Sequence, residues 1–316
     1  EILGGQSENK TFGNIIKKVQ GDVEGGATFA DALRKHPKAF PDLYVNMVAA
    51  GEAGGILDTI LNRLATYIEK SMNLKKKVKS AMTYPVVIIT VAFGVVALLL
   101  IFVIPTFEKM FQDFGGTLPA PTRLIISMSQ WLQRFWWVVA LAIGGVIFGV
   151  KQWRRTEQGK RILDGLALRL PVFGMLVRKV SVAKFSRTLS TLISSGVPIL
   201  DGLEIVAKTA GNKIVEIAIL QTRQAIAEGK TIAEPLAQTK VFPPMVVQMI
   251  GVGEQAGALD SMLSKIADFY DEEVDQAVDT LSALLEPFIM VFLGVVIGYI
   301  VVAMYLPVFK LAGTIG

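Results

Sequence analysis

Two carboxylate pairs have the residue types and spacing for chemistry. Glu52 and Asp58 stand six positions apart in Gly51-Glu52-Ala53-Gly54-Gly55-Ile56-Leu57-Asp58. Glu254 and Asp260 stand at the same spacing in Gly253-Glu254-Gln255-Ala256-Gly257-Ala258-Leu259-Asp260. Paired carboxylates can divide acid and base work or hold a hard cation. Here no other catalytic group accompanies them, so acid–base catalysis is discounted. The chain has no cysteine and one histidine. That excludes disulfides, thiol nucleophiles and Cys-ligated zinc, and His36, beside Pro37, reads as a solvated loop residue. Gly229-Lys230-Thr231 resembles the end of a phosphate-binding loop, but the first glycine would fall at Gln224, and a helix rather than a strand precedes the tripeptide. No catalytic residue, cofactor or metal site is assigned, and an enzyme is not expected.

The turn itself has a structural reading. Gly51 and Gly55, like Gly253 and Gly257, allow a tight reversal between two helices. Asp58 and Asp260 fall near the start of the second helix, where a carboxylate suits exposed amides and the dipole. Three roles stay open for Glu52: a structural hydrogen-bond acceptor, a partner contact, or a weak divalent-cation ligand with Asp58.

The turn occurs twice because the chain repeats. Five of its eight positions are identical at a shift of 202 residues. The same shift pairs Pro41 with Pro243, Leu61 with Leu263, Ala65 with Ala267, Pro85 with Pro287, Pro105 with Pro307 and Phe107 with Phe309. Upstream, a shift of 203 pairs Glu1 with Glu204, Asn9 with Asn212, Gly26 with Gly229 and Thr28 with Thr231. Self-similarity held in register over this length marks a duplicated unit.

Each unit ends in an apolar run. The chain has 316 residues, 52% hydrophobic and 19% charged, with a mean hydropathy of +0.50. Val86–Ile104, between Pro85 and Pro105, carries no charge and covers roughly 29 Å as a helix, enough for a bilayer core. Pro287–Leu306 is its copy. A third run, Phe135–Val150, has no counterpart in the repeat; Trp131, Trp136, Trp137 and Trp153 flank it as interfacial belts. Positive charge sets the orientation. Lys70, Lys75, Lys76, Lys77 and Lys79 precede the first run, and Lys151, Arg154, Arg155, Lys160 and Arg161 follow the second, whereas the connector holds only Lys109 and Arg123. Both soluble modules are therefore expected in the cytoplasm, with the connector and C-terminal tail outside. The middle span returns the chain so that the second copy can begin on the same side as the first.

The expected organisation is an all-α polytopic membrane protein with two repeated cytosolic helical-bundle modules, about six helices each, and three transmembrane helices. The boundaries are a first module at 1–84, spans at 85–107, 132–150 and 286–308, a periplasmic connector at 108–131, a second module at 151–285 and a tail at 309–316. In the second copy, helices are expected over Phe185–Ser195, Asn212–Glu228, Glu234–Gln238, Pro243–Val252 and from Leu259 into the third span. Glu1 starts inside a helical pattern without a methionine, and the true N-terminus is expected to be missing. Gly145 with Gly149, and Gly294 with Gly298, are small-xxx-small patterns that permit close helix packing in lipid. One contrast separates the copies: the lysines from Lys70 to Lys79 stand where the second copy has Asp271, Glu272, Glu273, Asp275 and Asp279. These are either solvated faces, the lysines near anionic lipid, or segments that face each other.

Phe185-Ser186-Arg187-Thr188-Leu189, Ser195-Gly196-Val197-Pro198-Ile199, the two Gly-Glu…Leu-Asp turns and Tyr84-Pro85 together resemble the type II secretion F-protein family, which includes inner-membrane platform proteins of type IV pili. The resemblance covers nearly the whole chain; the first copy lacks only the Phe-x-Arg-x-Leu opening. It implies a scaffold in the bacterial inner membrane, for a type IV pilus or a type II secretion machine. Its implied partners are a cytosolic assembly or retraction ATPase, other inner-membrane components, pilin or pseudopilin, and further copies of itself. Lipid is expected to surround the spans, and no nucleic acid is expected. The residues implied for the family motif or a partner contact are Gly51, Glu52, Gly55, Leu57, Asp58, Phe185, Arg187, Gly196, Pro198, Gly253, Glu254, Gly257, Leu259 and Asp260, with Pro85, Pro105, Pro287 and Pro307 marking where the spans begin and end. A small-solute transporter or channel is the competing class. It normally places polar groups or broken helices near mid-membrane, and the first and third runs carry no charge.

Overall fold

The computed structural model describes residues 2–113, 119–171 and 173–312. All regular structure among them is helical. The first copy comprises α1 (Ile2–Gln6), α2 (Lys10–Glu24), α3 (Phe29–Arg34), α4 (Asp42–Gly54) and α5 (Leu57–Leu98). A π-helical stretch (Leu99–Val103) leads into α6 (Ile104–Asp113). Helices α7 (Ala120–Trp153) and α8 (Glu157–Arg169) follow. The second copy continues with α9 (Phe173–Ser194), α10 (Ile199–Thr209), α11 (Lys213–Ala227), α12 (Ala233–Thr239), α13 (Pro244–Ala256) and α14 (Leu259–Ala312).

The duplication is visible in the caps. Asn9 accepts from the Thr11 and Phe12 amides to start α2, and Asn212 accepts from those of Ile214 and Val215 to start α11. Gly26 and Gly229, at φ +95° and +90°, reverse the chain after these helices. Pro41 and Pro243 open α4 and α13 in the same extended conformation. The change of register from 203 to 202 falls between Thr28 and Pro41, where α3 ends at Arg34 but α12 runs to Thr239 and turns through Lys240 at φ +54°.

The chain forms two compact units. One holds residues 1–76 and 160–277. Its core is built from the inward faces of amphipathic helices: Leu33, Met47, Ile60 and Leu64 in the first copy, and Phe185, Leu203, Ile219, Leu236, Ile250 and Leu263 in the second, are all fully buried. Each contributes about 1.5–3 kcal/mol by leaving water. In the second copy, α9 lays Phe185 against Phe242, ring centroids 4.7 Å apart. An apolar groove of about 800 Å³ lies open along Phe12, Val19, Phe40 and Tyr44.

The other unit holds residues 77–159 and 278–316. Three helical stretches among the described residues are long and apolar enough to cross a membrane: Leu57–Met110, Ala120–Trp153 and Leu259–Pro307. Leu100, Ile104, Ile125, Ile126, Ile300 and Ala303 bring all three together in one cluster. Helix extends through Asp113 on one side of the connector and resumes at Ala120, well before residue 132. Pro85, Pro287 and Pro307 lie inside continuous helices, and Pro105 stands one residue into α6. Helix α7 kinks at Phe135, with φ −120° and ψ 20°. Beyond Val139 its residues are exposed on every side, as suits an all-round apolar helix in lipid. Half of the tail at 309–316, and Gly115 in the connector, lie outside the described residues.

Candidate functional site

Each repeated turn ties three elements together. Helix α4 ends in a Schellman arrangement: Gly55 is left-handed at φ +66° and the Ile56 amide reaches the Gly51 carbonyl at 2.9 Å. Gly257, at the same φ, and the Ala258 amide on Gly253 repeat it. Gly51 serves a different need. A Cβ there would stand 2.8 Å from Ile60 Cγ1 and 3.3 Å from Leu57 Cα, and one on Gly253 would stand 2.9 Å from Met262 Cβ. The glycine lets the helix after the turn fold back onto the helix before it. Leu57 and Leu259 begin those following helices, and Asp58 and Asp260 stand in their first turns.

Glu52 reaches elsewhere. Its two carboxylate oxygens accept from the Phe29 and Ala30 amides, at 2.6 and 2.8 Å. These are the first amides of α3, which have no partner within their own helix. Glu254 does the same in the second copy, both oxygens accepting from the Ile232 amide at 2.9 and 3.0 Å. The glutamate caps the preceding short helix from a distance, with a charge suited to the positive end of the dipole. This geometry favours the structural-acceptor role over the cation-ligand role, because the oxygens are already engaged. Among the described residues no group of three or more acidic or histidine side chains is placed to hold a metal.

The Phe-x-Arg-x-Leu helix sits between the copies. Arg187, about nine-tenths buried, donates to Asp268 at 2.8 Å and Asp271 at 2.6 Å on α14. Lys70, from α5 of the first copy, meets the same Asp268 at 2.9 Å. Burial pushes the Asp268 carboxyl up, but the hydrogen bonds and charges of Lys70 and Arg187 outweigh it and hold it below the usual 3.8. Next to this cluster Arg63 donates to the Ser194 carbonyl, and the Tyr67 and Thr188 hydroxyls lie 3.2 Å apart. They line an open polar groove of about 640 Å³ between α5, α9 and α14. Of the contrasting lysines, Lys70 reaches Asp268 of the second copy, which lies outside the contrasting acidic set. Asp271 and Glu273 instead pair with α9, through Arg187 and, at 2.6 Å, Lys179. Gly196, at φ +82°, ends α9, and Pro198 caps α10.

Sequence reasoning reached Glu52 and Arg187 but not their partners. Asp268 and Asp271 follow the repeated turn by a helix length, and neither matches its counterpart in the first copy, Thr66 and Glu69. Gly145, Gly149, Gly294 and Gly298 have open space where a Cβ would project, so these glycines make no close helix packing within this chain.

Residues 1–105 and 185–307 match the family described as Type II secretion system (T2SS), protein F. The chain belongs to this family. The matched segments are the two copies, and the unmatched stretch holds α7, the middle span. The F-family chain is similar to Type IV pilus assembly protein PilC of Myxococcus xanthus, 57% identical over 315 residues that cover 100% of this chain and 76% of the relative. Type IV pilus assembly protein PilC of Thermus thermophilus is 48% identical, over 99% of this chain and 77% of the relative. Type II secretion system protein F of Aeromonas hydrophila is 37% identical, over 97% and 79%.

Proposed function

We propose that this F-family chain is the inner-membrane platform of a type IV pilus, coupling a cytosolic motor ATPase to the assembly of pilin. The observation that carries the pilus branch is whole-chain identity. The two relatives named for pilus assembly share 57% and 48% with this chain, and the secretion relative 37%. In this reading both modules face the cytoplasm, where a motor would meet them, and the tail faces the periplasm. The basic flanks before the first span and after the second support that orientation. The polar groove between the copies and the capped turns hold a rigid cytosolic body, suited to transmitting force rather than to catalysis.

Photo-crosslinkers placed at exposed positions of α2 and α11 in living cells, read by mass spectrometry, test the coupling. Adducts to the pilus motor ATPase that disappear when the motor is deleted are expected. A chain whose loss leaves pili intact but stops secretion would move it to the secretion branch. Labelling of a cysteine at position 229 by an impermeant reagent from the periplasm would overturn the orientation.

A further inference from the structure

Prolines 105 and 307 stand at equivalent positions near the ends of the two repeated spans. A proline has no amide hydrogen, so each leaves a carbonyl four residues earlier without its helical donor. For Pro307 that carbonyl belongs to Ala303; for Pro105 it belongs to Ile101, or to Leu100 where the helix has π spacing. The stretch Leu99–Val103 is π-helical, with the Ile104 amide on the Leu99 carbonyl. These orphaned carbonyls are met by side chains from α7. Thr122 Oγ1 donates to the Ala303 carbonyl at 2.5 Å. Gln133 Nε2 donates to the Ile101 carbonyl at 2.7 Å, and Ser129 Oγ donates to the Leu100 carbonyl. Thr122 and Ser129 are buried at 4% and 0% exposure, beside the apolar cluster of Leu100, Ile104, Ile125, Ile126, Ile300 and Ala303. In such surroundings an unmet carbonyl has no water to turn to.

The three donors lie on one stripe of α7, since steps of seven and four residues bring a helix back to the same face. The stripe ends just before the kink at Phe135. One helix that is not part of the repeat thus serves both copies at the same structural position. We infer that the middle span is a shared hydrogen-bond latch that closes the proline joints of the first and third spans and sets their bends together. The first joint is π-helical and held by two side chains. The third is α-helical and held by a single buried threonine. A shift of α7 along or about its axis releases both at once, which gives the duplicated spans a mechanical link that their own sequences lack.

The test is a pair of double-mutant cycles on the full chain in detergent micelles or nanodiscs, with unfolding equilibria and amide exchange near residues 101 and 303 as readouts. Hydrogen bonds between membrane helices measure about 0.6 to 1.7 kcal/mol, so Thr122→Val should raise the unfolding constant about 3- to 20-fold. Thr122→Ser, which keeps the hydroxyl, should stay close to the parent. The decisive comparison is in the Pro307→Ala background, where the restored amide meets the Ala303 carbonyl itself: there Thr122→Val should cost little. Gln133→Leu and Ser129→Ala should likewise lose most of their effect once Pro105→Ala is present. Ser127→Ala is the control, because that hydroxyl bonds Leu124 within α7. If Thr122→Val and Ser129→Ala cost as much with alanine at 307 and 105 as with proline, the side chains are not standing in for the missing amides and the inference fails.

Discussion

Replacing Glu52 by alanine should free the start of α3 without disturbing the spans. The carboxylate accepts two backbone amides at 2.6 and 2.8 Å. A hydrogen bond to a charged group contributes about 1.5–3 kcal/mol. The two here share one half-buried carboxylate, so about 2 kcal/mol for the pair is a fair expectation, near 30-fold in an equilibrium constant. Thr28 already caps the third amide of α3 through Asp31, at 3.0 Å, and should keep part of the helix in place. The loss is therefore local. Amide exchange separates it from a global effect: Phe29 and Ala30 should be protected in the parent by these bonds, although first-turn amides are usually exposed to exchange. In Glu52→Ala they should exchange about 30-fold faster, with α7 unchanged. Glu52→Gln, retaining one acceptor oxygen, should fall between. Glu254→Ala should act in the same way at Ile232. Both variants should insert into membranes normally yet reduce pilus output, since neither residue lies in an apolar run. Unchanged protection at Phe29 and Ala30 in Glu52→Ala would refute the capping role.

Gly253→Ala should cost about 1–3 kcal/mol by overpacking, because the new methyl meets Met262 Cβ at 2.9 Å; an unfolding midpoint within a degree of the parent would show that the two helices can part. Arg187→Ala should destabilise by about 1–3 kcal/mol, as it removes charge-assisted hydrogen bonds to two carboxylates that stay partly exposed. Lys70→Ala, whose ion pair is exposed, should cost no more than about 1 kcal/mol, and denaturant titrations of both variants check the order. The lowered Asp268 carboxyl contributes stability that is fully present above the ordinary 3.8 and is lost as pH falls through the lowered value. The stability gap between the parent and Asp268→Asn should thus be constant from pH 7 to about 5 and close only in stronger acid; a gap that closes near neutrality would assign it to another group.

What could be read in the sequence was what is encoded locally. Hydropathy of the runs after Pro85 and Pro287, helical spacing, and the register of the repeat need only neighbouring residues, and each leads to an all-helical chain with three apolar helices. Partners far away in sequence were hidden. A glutamate beside a glycine turn gives no sign that its acceptors serve a helix 23 residues upstream, because any carboxylate could cap any amide the fold brings near it. The pairing becomes readable only when the copies are set side by side: Thr28 and Thr231 precede the two short helices, and Glu52 and Glu254 follow them at nearly constant distance. Arg187 offers little such help, since only one of its two acidic partners, Asp271, has an acidic counterpart, Glu69, in the first copy.

The prolines of the spans show how a helix can outrun a local stop signal. Proline is a strong local stop signal, and the first apolar run is bracketed by Pro85 and Pro105, yet helix continues through both. The rule fails because its cost is an unmet carbonyl, and a carbonyl can be met from outside the helix. The residues that meet those at 101 and 303 lie before the apolar run from Phe135: Thr122 and Ser129 read as polar connector, and Gln133 stands at the very edge of the expected second span. Their value lies in spacing, not polarity. A stripe of donors on one face of α7 is useful only if two other helices each lack a donor within its reach. Duplication supplies that condition, because copying a span copies its proline. A repeat that carries its defect in both copies can be completed by one unrepeated helix, and the middle span has the position and the side chains to do so.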